Sequence, residues 1–173
     1  MSPDRPRGAG GSRAPAGSAG PGGPGSPRRR SLVTGLLVGV GIAAFVDEVV
    51  FHQVLHWHHF YDRSSTTAGL VSDGWFHAFG WLAMVGGMFL FADLQRRRAT
   101  VHPRVLAGAL VGSGGFQVYD GLVHHKLLQL HQVRYGVELL PYDLVWNLAG
   151  ALALLAGLAL LARHRRRERA RAR

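Results

Sequence analysis

Four long apolar blocks, separated and flanked by clusters of arginine, constrain this chain more than any other feature of it. They run roughly from Leu32 to Trp57, Gly69 to Leu94, Val105 to Leu130 and Leu144 to Ala162. A helix rises about 1.5 Å per residue and a bilayer core is about 30 Å thick, so each block is long enough, or nearly so, to cross it. The expected fold is all-α, a four-helix transmembrane bundle made of two tandem helical hairpins.

Basic residues set the expected orientation. Of the 20 Lys and Arg, only Arg63, Lys126 and Arg134 lie on the side of the two outer loops. The rest precede the first block, sit between the second and third blocks (Arg96 to Arg98 and Arg104) or follow the last block, which makes both termini cytoplasmic. The net charge of +10 is therefore a topology signal, and no nucleic-acid partner is expected. The expected partner is the lipid bilayer, with a second membrane protein or a second copy of the chain left open. Residues 1–30, rich in Gly, Pro and Arg, read as a disordered cytoplasmic tail. Residues 31–162 form the membrane domain, and 163–173 a basic tail anchored on anionic lipid.

The acids and histidines gather at the opposite end. In FVDEVVFHQVLHWHHFY, residues 45–61, α-helical spacing of about 100° per residue puts Glu48, His52, His56 and His59 on one face. Asp47 and His58 share a second face. The second block carries Asp73 and His77 four apart, and the third carries Asp120, His124 and His131 on one face, with His125 pointing elsewhere. Ionisable groups within a span are costly, so such a set is a functional hypothesis by default.

The third block repeats the first. Gly35, Gly39, Gly41, Asp47, His52, Leu55 and His58 recur 73 positions later as Gly108, Gly112, Gly114, Asp120, His125, Leu128 and His131. The second and fourth blocks correspond at an offset of 70, through Asp73 and Asp143, His77 and Asn147, and Gly80 and Gly150. Two parallel copies of one hairpin would bring their acid-bearing ends together around a shared outer site.

With no cysteine in the chain, thiolate metal sites, iron–sulfur clusters and covalently attached haem are excluded. Nitrogen and oxygen ligands suit zinc, copper, iron or manganese, and a pair of facing imidazoles suits haem. His52, His56, His77 and His124 are the foremost candidate ligands, followed by Asp47, Asp73 and Asp120. Glu48, His58, His59, His125, His131 and Asp143 are weaker candidates. His58, His59 and His131 also read as solvated loop histidines, His125 as a snorkelling one, and Asp47 and Asp120 as acids that orient imidazoles.

The segments VDEVVFHQVLHWHHFYD, SDGWFHAFGWLAM, GGFQVYDGLVHHKLLQLHQVRYG and LLPYDLVWNLAG resemble the bacterial membrane-protein family called domain of unknown function 2243. The resemblance covers about Leu32 to Ala162 and implies placement in the bacterial inner membrane; it implies no activity. The expected function is transition-metal or haem binding by the outer His and Asp cluster, in metal handling or respiratory-complex assembly. The alternatives are a non-catalytic scaffold whose polar cluster only pairs helices, and a membrane-embedded metalloenzyme. Ligand nitrogens converging within about 4 to 5 Å would favour a non-haem ion. Imidazoles facing across a flat gap would favour haem.

Overall fold

The computed structural model describes residues 25–171 and Arg173; most of the expected amino-terminal tail lies outside the described residues. The described residues form an all-helical fold, with four α-helices and no strand. Helix α1 spans Pro27–Val46, α2 Thr66–Arg96, α3 His102–Tyr119 and α4 Leu139–Arg171. α1 continues into a π-helical segment, Asp47–Val54, and α3 into a second one, Asp120–Leu127.

Helix starts follow local chemistry. Ser26 Oγ accepts from Arg29 N at 3.3 Å ahead of Pro27, and Ser65 Oγ accepts from Ala68 N at 3.3 Å. α1 thus begins within the arginine cluster, and Arg28 to Arg30 are helical rather than part of a tail. α4 likewise runs on through the basic segment to Arg171.

Among the described residues, three segments are long and apolar enough to cross a membrane: Pro27–Val54, Thr66–Arg96 and Leu139–Arg171. The remaining one, His102–Leu127, carries Arg104, Asp120, His124, His125 and Lys126, which lower its hydropathy. It packs between α1 and α4, while α1 packs between α2 and α3. The two peripheral helices turn large apolar side chains outward, among them Trp75, Phe89, Val145 and Leu152.

Glycine sets the distance between the two central helices. A Cβ on Gly35 or Gly39 would strike the backbone of Val105 or Ala109, and one on Gly108 or Gly112 the backbone of Leu32 or Leu36. Backbone lies directly on backbone along this seam, as expected where small residues line a membrane-helix contact. Gly41 makes a similar approach to Met84 on α2, and Gly114 to Leu154 on α4.

Ion pairs tie the basic end. Asp93 on α2 binds Arg30 at 2.6 Å, and Glu168 on α4 binds Arg28 at 3.2 Å and Arg104 at 3.0 Å. The imidazoles other than His102 and His164, and most of the remaining acids, lie at the other end.

Candidate metal centre

Both π segments change which side chains share a face. A π-helix closes i to i+5 hydrogen bonds, so residues five apart stack. Asp47 and His52 are five apart in the first segment, as are Asp120 and His125 in the second. Two residues beyond the end of each segment stands a residue with positive φ, His56 at 49° and Gln129 at 50°. Side-chain-bearing residues rarely adopt this conformation, which costs about 1–2 kcal/mol. The reversal carries His58 and His131 back over the segment that precedes each.

Two matching sets result: Asp47, His52 and His58, and Asp120, His125 and His131. In each, one ligand atom per residue lies within 4.8 Å of the others. All six residues are at most 5% exposed. The sets touch one another, with His58 stacked on His131 at a centroid distance of 4.6 Å and an interplanar angle of 5°. His52 meets His58 edge-on at 4.4 Å, and His125 meets His131 at 4.6 Å. Rings in such contact leave no flat gap between them.

Outer hydrogen bonds orient the rings. His58 Nδ1 donates to Val133 O at 2.9 Å, and His131 Nδ1 donates to Phe60 O at 2.8 Å. His52 Nδ1 donates to Asp73 Oδ1 at 3.0 Å. With the proton on Nδ1, each Nε2 keeps a lone pair, the tautomer typical of a metal-bound histidine whose other nitrogen is held. The Nε2 atoms of His52, His58, His125 and His131 are all buried without a hydrogen-bond partner. His125 Nε2 lies 2.9 Å from Asp120 Oδ2, yet neither atom is satisfied by a properly directed bond. Two atoms each about 2.0–2.2 Å from one ion would stand roughly 3 Å apart.

Burial pushes the His58 imidazole down to about 2, and neighbouring His131, His52 and His125 push it further in that direction. Burial also lowers His131, to about 4, against the opposing pull of Asp120. Both are neutral at pH 7, the form that binds a cation.

A family model described as a predicted membrane protein, domain of unknown function 2243, matches residues 34–164. The chain belongs to this family. The matched span of domain of unknown function 2243 includes both Asp-His-His sets and all four helices in whole or large part. No curated protein and no solved structure gave a significant match.

The remaining candidates of this family member fall around or away from the two sets. Asp73 is buried and bonds three groups: His52, His59 Nδ1 at 2.6 Å and Phe60 N at 2.7 Å. Glu48 Oε2 lies 3.0 Å from His52 Nδ1, and Glu48 Oε1 accepts from Gln53 at 2.8 Å. Glu48, His52 and Asp73 also form a group within 4.8 Å, but there the His52 Nδ1 hydrogen bond already accounts for the contact. His124 is half-buried and donates from Nδ1 to Asp120 Oδ1 at 2.9 Å. Asp143 pairs with Lys126 at 2.6 Å, away from both sets.

His56 and His77 stand apart. His56 is exposed at the positive-φ turn, and His77 is exposed on α2 beside Phe45. Conversely, His58, His125 and His131 are neither solvated nor snorkelling but buried. The α-helical angles failed because the chain is π-helical where Asp47, His52, Asp120 and His125 lie. The repeat carried the better signal: between the first and third blocks its matched acids and imidazoles are Asp47/Asp120, His52/His125 and His58/His131, while His56 corresponds to Gln129; between the second and fourth blocks Asp73 matches Asp143, but His77 corresponds to Asn147.

Proposed function

We propose that the outer end of the bundle is a non-haem metal centre holding two divalent ions. One is ligated by Asp47, His52 and His58, the other by Asp120, His125 and His131. The observation that carries this reading is the set of four buried Nε2 atoms, those of His52, His58, His125 and His131, that lack a directed hydrogen bond, with His125 Nε2 only in ion-pair contact with Asp120 Oδ2 at 2.9 Å. A buried polar atom without a partner costs about 1–3 kcal/mol, so helix pairing alone gives no reason to gather four of them. Metal ligation gives each lone pair a partner. The contact between the rings favours bare ions over haem, and two imidazoles with one carboxylate suit zinc, iron or manganese.

The duplicated hairpins, in this reading, supply one half-site each and place the centre beneath the periplasmic surface of a bacterial inner membrane. The excess of arginine at the other end supports that orientation. The ligands join the two helix ends to the two outer loops, so ion binding clamps the loops onto the bundle. Three protein ligands per ion leave coordination positions for water or a substrate, but the burial of all six ligands favours a closed centre over an open catalytic one.

Elemental analysis of protein purified without chelator tests the proposal. The expected content is two ions per chain, falling to about one in His52→Ala or His125→Ala. Metal-free protein that takes up no zinc, iron or manganese, with the same null result in the variants, would reject it.

A further inference from the structure

At the basic end a cavity of about 710 Å³ opens among α2, α3 and α4. Phe91, Leu106, Ala109 and Leu160 form apolar walls, and His102, Arg163 and Arg167 border it at the helix ends. The nearby acid, Glu168, is already engaged by Arg28, Arg104 and His164 at 3.0–3.2 Å. Among the described residues, Arg163 and Arg167 have no acidic partner.

We propose that this cavity binds one anionic phospholipid from the adjacent leaflet. Its phosphate sits against Arg163, Arg167 and His102, and an acyl chain lies along Phe91, Leu106 and Leu160. Charge complementarity selects the head group: uncompensated guanidinium groups at a membrane surface attract anionic lipid. The apolar slot selects the tail, since a free phosphate would leave it unfilled and a soluble acidic peptide would have to enter the bilayer. The volume is that of a ligand pocket. This site lies at the far end of the bundle from the metal centre and does not depend on it.

Native mass spectrometry of the full chain in detergent, with phosphatidylglycerol, phosphatidylcholine or inorganic phosphate added, tests the assignment. Phosphatidylglycerol is expected to be retained at least tenfold better than phosphatidylcholine, and millimolar phosphate should not displace it. The pair Arg163→Gln/Arg167→Gln, and separately Leu106→Trp in the slot, should each remove that preference. Arg166→Gln/Arg169→Gln removes the same charge away from the cavity and should change retention less than twofold. Equal retention of the two lipids, displacement by phosphate, or equal loss in the control pair would overturn the proposal.

Discussion

His58 and His131 lie face to face, planes within 5° and centroids 4.6 Å apart, each bonded through Nδ1 to the other's loop. His58 reaches Val133 O, two residues beyond His131, and His131 reaches Phe60 O, two residues beyond His58. The exchange fixes both rings through Nδ1, leaves each Nε2 without a hydrogen-bond partner, and makes each outer loop a support for the other's imidazole.

From this exchange, His58→Ala and His131→Ala should have closely similar effects. Each removes one ligand and one loop-to-loop bond, so each variant should lose about one ion per chain. In each, proteolysis should speed up in both outer loops, not only in the mutated one. Metal content together with limited proteolysis checks this; damage confined to one loop would contradict it.

Asp73 gathers His52, His59 and the Phe60 amide without belonging to either Asp-His-His set. Asp73→Asn keeps the shape but weakens the acceptor that orients His52. Removing such an outer partner typically costs 10–100-fold in metal affinity. Metal affinity measured by competition with a chelator should fall by about that factor, while saturation still reaches the wild-type ion content.

The glycine seam should be intolerant of side chains. Gly39→Leu or Gly112→Leu pushes a side chain into opposing backbone, and overpacking costs about 1–3 kcal/mol where neighbours can yield, more where they are backbone. Gly86→Ala meets open space and should be nearly neutral. Thermal unfolding in detergent separates the two cases.

Acid should destabilise the metal-free protein. His58 and His131 are held below the ordinary imidazole value when folded, at about 2 and about 4, whereas unfolded imidazoles titrate near 6.5. Between about pH 6.5 and 4 the unfolded chain binds more protons, so stability is complete above that window and falls as the pH drops through it. Melting temperatures of chelator-treated protein at pH 7.5 and 5 should differ by roughly 5 °C or more. His58→Phe/His131→Phe should flatten the dependence.

The bundle was legible in the sequence because bilayer crossing imposes a crude rule of length and polarity. The seam was legible too, since Gly35, Gly39, Gly108 and Gly112 recur at one spacing. The geometry of the Asp-His-His sets was not, because an α-helical wheel turns His125 away from Asp120, whereas a π turn brings its Nε2 to 2.9 Å from Asp120 Oδ2. Nothing in DEVVFHQV or DGLVHHKL announces i to i+5 bonding. Nor does the sequence show that the chain reverses at His56, which carries His58 inward and leaves His56 itself outside.

Anomalous diffraction at a zinc, iron or manganese edge, on crystals of metal-loaded protein, tests the central claim most directly. Two peaks are predicted, each about 2.0–2.2 Å from the Nε2 atoms of one histidine pair, His52 with His58 and His125 with His131. A fully loaded crystal with its peaks elsewhere, or with the four Nε2 atoms bonded only to water, would contradict it.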